Sequence, residues 1–358
     1  MRKLSRREFL KSLMTGMGAA AVNQFLVACG RKTLPPIPTA TQTSNPTSPP
    51  TTRPTREEAP PAHEQPTETI SSPGQTPTQP NPTDTPAGPP DLVVARGGEP
   101  EDLVRRALAA LGGMEQFVSK GSRVIIKPNI CVAYHTYEYA ATTNPWVVAA
   151  LVRLCLEAGA SSVQVMDFPF GGTAQEAYAI SGIQEQVEAA GGEMVFMPSF
   201  RYTYVDIPGA QKLSKVQIYD DILNADVFIN VPIAKTHDLA KLTLGMKNLM
   251  GVIYGRQYIH SNMGEKLTDL ASLIRPELTV VDAIRILTAH GPTGGNLDDV
   301  QKIDTIIASS DIVAADSYAT RLFGMQPDDI SYIQAGAARG LGRSDLSNLR
   351  IEEISVGG

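Results

Sequence analysis

Residues 91–358 predict an α/β fold: a mostly parallel sheet covered by helices on both faces, Rossmann-like. Three observations predict it. Short apolar, β-branched runs alternate with helix-length segments. Glycines close the helical patterns at 112–113, 159 and 191–192. Polar residues follow the strand-like runs directly, where open sheets of this class bind ligands.

In chain order, Asp91–Ala95 is a short apolar run read as the first strand, and a helical pattern follows from Glu101 to Leu111. Ser122–Ile126 is compact and β-branched and reads as a buried strand. Asn144 then caps a helix whose first residue is Pro145, a position where the missing N–H costs nothing. Ser162–Met166 is the next strand and is followed by Asp167. Thr173-Ala-Gln-Glu176 has capping-box spacing and opens a helix toward Ala190. Further strands are expected at Glu193–Met197, Asp226–Val231, Leu278–Asp282 and Asp304–Ala308. Further helices are expected near Leu242–Leu249, Ile312–Phe323 and Ile330–Arg339.

The first 90 residues are of another kind. Ser5-Arg6-Arg7-Glu8-Phe9-Leu10-Lys11, followed by a mildly apolar stretch to Ala28, matches a twin-arginine export signal through Arg6 and Arg7. That stretch holds Asn23 and Gln24 and is too short and polar for a good membrane span. Leu26-Val-Ala-Cys29 resembles a lipobox, with Cys29 as the lipidated residue. Of the 27 prolines, 17 fall between Lys32 and Asp91, so this segment cannot bury a core and reads as an extended, disordered tether. The expected organisation is a signal over 1–29, a tether over 30–90 and one α/β domain over 91–358. The expected location is export by the twin-arginine machinery and lipid anchoring at the extracytoplasmic membrane face.

Charge narrows the partners. The chain is −6 in all, with +4 in residues 1–30 and −1 in 31–90, which leaves −9 for the domain. A body so acidic repels a phosphate backbone, so no nucleic-acid partner is expected. Three cysteines are too few for a disulfide scaffold or a zinc or iron–sulfur site. Cys155 sits on an apolar helix face and reads as core, while Cys131 lies near Lys127.

Against that acidic background, residues 230–262 hold four Lys/Arg and one acid. Local positive charge there points to a small anionic ligand, a phosphate or a carboxylate. The residues after strands supply the candidates: Lys127 and Asn129 after one, Asp167 after another, Lys235, Thr236 and His237 after Val231, and Asp282 at a fourth. Lys247, Asn248, Arg256 and His260 follow in the basic stretch. If the sheet is doubly wound, Lys127, Asp167, Lys235 and Asp282 share one edge. A lysine among cations is a better nucleophile or carbonyl binder, and imidazoles beside it move protons or bind metal. Asp167, Asp282 and Asp316 have the oxygen ligands to orient those imidazoles or hold a divalent metal.

Five blocks then resemble one family: Val124-Ile-Ile-Lys-Pro-Asn129, Ala141-Thr-Thr-Asn-Pro145, Val231-Pro-Ile-Ala-Lys-Thr-His237, Lys247-Asn-Leu-Met-Gly251 and Ala314-Ala-Asp316. They look like the signature blocks of the domain of unknown function 362 family, across nearly all of 91–358. The resemblance implies the fold more than an activity. Several members carry ferredoxin-type iron–sulfur modules; this chain lacks their cysteines, so no cluster is expected. The order His237, Lys247, His260, with glycines around the lysine, is also similar to the nickel-pincer lactate racemase superfamily. That similarity implies Lys247 as the cofactor lysine, His260 as a nickel ligand and His237 as a general acid or base. The sequence departs from the pattern at Asn248 and in the short gap between Lys247 and His260.

The reading is a membrane-tethered α/β enzyme acting on a small anionic substrate. His237, Lys247 and His260 are its catalytic groups, and Lys127, Asn129, Lys235, Thr236, Asn248 and Arg256 bind the substrate. Asp167 and Asp282 are the candidate ligands for a divalent metal. The alternative is a non-catalytic lipoprotein that binds a solute or cofactor.

Overall fold

Period-2 alternation sends Val124 and Ile126 to one side of the strand Arg123–Pro128 and Ile125 to the other, and each side meets its own core. The computed structural model describes residues 88–357. The export signal with Arg6 and Arg7, Cys29 and the proline-rich segment through residue 87 lie outside the described residues.

The first half of the domain comprises β1 (Leu92–Arg96), α1 (Pro100–Ala110), β2 (Arg123–Pro128), α2 (Pro145–Glu157), β3 (Ser162–Val165), α3 (Ala174–Ile180), α4 (Ile183–Ala189) and β4 (Glu193–Met194). A hairpin follows, β5 (Tyr202–Asp206) and β6 (Lys215–Tyr219), then α5 (Asp220–Asn224), β7 (Val227–Val231), β8 (Ile233–His237) and β9 (Lys241–Thr243). The rest is α6 (Gly245–Asn248), α7 (Met263–Ile274), β10 (Leu278–Leu287), β11 (Val300–Ser309), α8 (Ile312–Ala319), α9 (Ser331–Ala338) and β12 (Ile351–Ser355).

The main sheet runs β12-β1-β11-β10-β7-β2-β3-β4. The β10, β7, β2, β3 and β4 strands pair in parallel, as do β1 and β12, while β11 is antiparallel to both neighbours. Residues of α1, α2 and α4 cover the Val124 face; those of α6, α7, α8, α9 and the β5–β6 hairpin cover the Ile125 face. With both faces dry, the strands are apolar almost throughout, as parallel sheets require. The mostly parallel α/β sandwich expected from the sequence is therefore the fold.

One local feature positions the site. The ten-residue β10 pairs in parallel first with β7 and then with β8, across Pro232. Proline has no N–H to give the ladder, so pairing breaks there, and the Asp282 amide bonds the Pro232 carbonyl at 2.8 Å. β8 thus continues the strand past the carboxyl edge of its neighbours and carries Lys235 and His237 with it.

Several boundaries differ from the sequence reading. The helix from Thr173 has its capping box, but it breaks at Gly182, whose φ of 75° suits glycine, into α3 and α4. In place of a helix over Leu242–Leu249 there are β9, the one-turn α6 and a 3₁₀ turn over Leu249–Val252. The β10 and β11 strands are twice the expected length because they extend as an antiparallel pair to Leu287↔Val300. The β5–β6 hairpin, α7 and β12 were not anticipated. Among the described residues no helix is long and apolar enough to cross a membrane.

Candidate functional site

Lys127 ends β2 with its side chain 1% exposed, and Asp167, two residues past β3, stands 2.7 Å from its Nζ. Lys127 Nζ also donates to the Pro128 carbonyl at 2.6 Å and to Asn248 Oδ1 at 2.9 Å. Asp167 accepts from the amides of Ile130 and Phe168 at 2.6 and 2.9 Å. Burial pushes the lysine down to about 8 and the carboxyl up, while their mutual attraction opposes both shifts. The two members of the pair use their bonding capacity on protein.

Asn248 is the hub of this floor. Its Oδ1 accepts from Lys127 and from Asn129 Nδ2, and its Nδ2 donates to Asn230 Oδ1 at 2.9 Å and to the Lys127 carbonyl at 3.3 Å. Asn129 Oδ1 in turn accepts from Lys235 Nζ at 3.0 Å, and Lys235 also donates to the Ala141 carbonyl at 2.6 Å. Asn129 and Asn248 orient the two lysines that neighbour them. Lys235 is 1% exposed and, among the described residues, forms no ion pair with a carboxylate; burial lowers its pKa, with the Cys131 sulfur opposing.

Lys247 stands on α6, a helix only four residues long. One turn of helix is unstable alone, and here three long-range bonds hold it. Asp316 of α8 accepts from the Gly245 and Met246 amides at 2.6 and 2.9 Å, and Asn230 Nδ2 donates to the Gly245 carbonyl at 3.0 Å. A Cβ on residue 245 would lie 2.7 Å from Asp316 Oδ1, so glycine permits the cap. Lys247 itself is 8% exposed, and no hydrogen bond or ion pair reaches its Nζ among the described residues. Burial, then Lys235 and Arg256, push its pKa down to about 8.

The two histidines are in opposite tautomers. His237 Nδ1 accepts from the Leu239 and Ala240 amides at 3.1 and 3.4 Å, so a neutral ring carries its proton on Nε2. Burial, Lys247 and Lys235 lower the His237 pKa to about 3, so the ring is neutral at physiological pH. His260 Nδ1 lies 3.1 Å from the Gln257 carbonyl, which can only accept, so a neutral ring there carries its proton on Nδ1 and presents Nε2 as an acceptor. With ring centroids 6.5 Å apart, one histidine offers a donor and the other an acceptor.

All of these side chains line one cavity of about 740 Å³: Lys127, Asn129, Asp167, Lys235, His237, Lys247, Asn248, Arg256 and His260. That volume is within the roughly 300–1,000 Å³ of small-molecule sites. Its carboxylates are Asp167, already paired with Lys127, and the exposed Asp238. Lys235, Lys247 and Arg256 are therefore an excess of buried and half-buried positive charge. Arg256 spends two N–H groups on the Phe168 and Pro169 carbonyls at 2.8 and 2.7 Å and, among the described residues, meets no carboxylate.

Three expectations need correction. Thr236 is not on the cavity; alternation along β8 turns it away from Lys235 and His237, and its Oγ1 accepts from the Gly291 amide at 3.2 Å. Asp282 is fully buried outside the cavity, accepting from the Asn144 and Ile284 amides at 2.6 and 2.9 Å, so it secures the start of α2. It shares no ligand sphere with Asp167. Asp316 orients neither histidine, because both its oxygens cap α6. Among the described residues no group of three His, Cys, Asp or Glu side chains could hold a metal ion. His237, accepting backbone amides at Nδ1, carries its proton on Nε2 and offers a metal no lone pair, whereas His260 has Nε2 to offer.

Sequence reasoning missed Asn230, the Asp316 cap and the aromatic residues of the cavity mouth, while Thr243 lay in the basic stretch it singled out. Thr243 is 4% exposed, lines the cavity, and its Oγ1 lacks a partner. Gly251 is also decisive: a Cβ there would fall on Asp167 Oδ1 and within 2.6 Å of Lys127 Nζ. Gly251→Ala is expected to part this buried pair and lower unfolding free energy by about 2 kcal/mol or more, read by denaturant midpoint. An unchanged midpoint would show that the floor can shift to admit a methyl group.

Comparison with known proteins gives three findings. The family described as Domain of unknown function (DUF362) matches residues 124–321. A thylakoid-associated protein of Synechocystis sp. is 30% identical over 247 residues, 66% of this chain and 74% of that one. Among solved structures, a structural-genomics protein from Thermotoga maritima is similar with 14% identity and a TM-score of 0.41, over 63% of this chain and 60% of that one. The lactate racemase apoprotein from Thermoanaerobacterium thermosaccharolyticum is similar with 13% identity and a TM-score of 0.37, over 64% of this chain and 56% of that one.

Proposed function

The chain belongs to the DUF362 family, and from the site its residues build we propose an enzyme that acts on a small anionic substrate, tethered outside the cytoplasm. The observation that carries the proposal is Lys247, a nearly buried amine without a partner among the described residues, beside Lys235 and Arg256 in a cavity short of negative charge. A protein holds such an uncompensated charge at a cost to its own stability. An anionic group of the substrate completes the electrostatics, and the His237 Nε2–H adds a neutral donor that does not compete for protons. In its free-base form Lys247 adds to a carbonyl carbon or takes a proton, and His260 Nε2 is a second acceptor.

Tethering rests on the Arg6-Arg7 signal, Cys29 and the proline-rich segment. The thylakoid-associated relative accords with a membrane setting. A Cys29→Ala variant is expected to leave the membrane fraction.

Binding and chemistry have opposite pH limbs. Anion binding needs the ammonium, so affinity for oxalate, a dianion throughout the neutral range, is expected to be level from about pH 6 to 8. Above about 8 it falls, by up to tenfold per pH unit, as Lys247 loses its proton. Chemistry through the free amine rises over the same range. Calorimetric titration at pH 7 and pH 9.5 checks the first limb. Absence of dianion binding at pH 7, or pH-independent binding, would defeat the proposal. A non-catalytic binder shows the falling limb and no rising one.

A further inference from the structure

The cationic floor explains a charge but not the walls above it. Phe168, Phe170, Leu239 and Tyr254 line the same cavity as Lys235, Lys247 and Arg256, and are 38%, 67%, 67% and 45% exposed. Scattered apolar side chains on a surface need no explanation, but four around one opening do. The backbone beneath them is pinned. The Phe168 amide bonds the Gly251 carbonyl at 3.1 Å, the Phe170 amide the Cys131 carbonyl at 2.7 Å and the Tyr254 amide the Gln217 carbonyl at 2.9 Å. The Leu239 amide bonds His237 Nδ1 at 3.1 Å, and the Arg256 guanidinium lies 5.3 Å from the Phe168 ring centroid. The rim is thus built from three loops that each also hold a floor residue: Asp167 before Phe168, His237 before Leu239, and Tyr254 before Arg256.

Resting on the anion-binding reading above, we infer that the ligand is an amphiphile, a phosphate or carboxylate head carrying an alkyl or aryl body. The head sits among Lys235, Lys247 and Arg256, which line the same part of the cavity as Thr243. The body lies against Phe168, Phe170, Leu239 and Tyr254. A bare phosphate would fill a small part of a 740 Å³ cavity, whereas an apolar body buries surface on the rim and gains affinity by leaving water.

Calorimetric titration of inorganic phosphate and of hexyl phosphate tests this on the wild type, on Lys247→Met and on the double variant Phe170→Ser/Leu239→Ser. Hexyl phosphate is expected to bind the wild type at least tenfold tighter than inorganic phosphate. The rim variant loses that margin and keeps its affinity for inorganic phosphate, while Lys247→Met loses both ligands. Equal affinities in the wild type, or a rim variant that weakens both ligands alike, would overturn the amphiphile. Failure of either ligand to bind the wild type would instead overturn the anion site beneath it. Co-sedimentation with phosphatidylcholine vesicles containing phosphatidic acid, competed by hexyl phosphate, assigns the head to a membrane lipid. Binding of hexyl phosphate without co-sedimentation assigns it to a soluble compound.

Discussion

Lys247→Met is expected to abolish binding of small dianions and, in the same protein, to raise its stability. Methionine keeps the length of the buried stem and removes the charge. The amine is pushed from an ordinary 10.5 to about 8, which corresponds to a cost of about 3 kcal/mol whenever it is protonated. The sign follows from linkage. A base whose folded pKa is lowered binds fewer protons folded than unfolded between the two values, so wild-type stability rises with pH from about 8 to 10.5. Below 8 the whole cost is present. At pH 7 the variant is therefore expected to gain about 1–3 kcal/mol in denaturant unfolding, and its stability to depend less on pH above 8. Lys127, also lowered to about 8, keeps part of that dependence. A variant that loses both binding and stability would mean that Lys247 holds the fold, and the charge argument would fail.

Asp167→Ala is expected to have the largest effect on stability. It leaves the Lys127 ammonium 1% exposed with no carboxylate beside it and strips the Ile130 amide of its acceptor, while the Phe168 amide keeps the Gly251 carbonyl. Breaking a buried pair on one side costs about 3–5 kcal/mol. Removing both charges with well-packed apolar groups costs far less, so Lys127→Met/Asp167→Leu is expected to recover most of the loss. Denaturant midpoints of the wild type and the two variants check this. If the double variant is as unstable as the single one, the loss comes from the hydrogen bonds of the loop and not from the orphaned charge.

The contrast between Asp167 and Asp282 shows how far the site was legible. Both follow or end an apolar run and both look alike in the sequence, yet one pairs with Lys127 at the cavity and the other caps backbone amides outside it. What separates them is which donor the rest of the fold delivers. The same holds for Asp316, which stands in a signature block but serves by capping the helix of Lys247. The two amides, Asn129 and Asn248, line the cavity and spend their bonding capacity on Lys127, Lys235 and Asn230. Thr236 was misplaced because the chain continues as a strand beyond Val231, and strand alternation puts neighbours on opposite sides.

Sequence by itself determined the alternation of strands and helices, the caps at Asn144 and Thr173, the buried character of the strands and the gathering of lysines in an acidic domain. Those features are written in neighbouring residues, through side-chain periodicity, proline and glycine geometry and local charge. Tertiary structure alone decided which groups meet. Lys127 and Asn248 bond across 121 positions of sequence, and Phe170 and Leu239 share a rim with residues from other loops. No local rule carries such distances. Hydrogen bonds and burial depend on what the other strands bring to the same edge, so the partnerless amine of Lys247 is a property of the folded chain only.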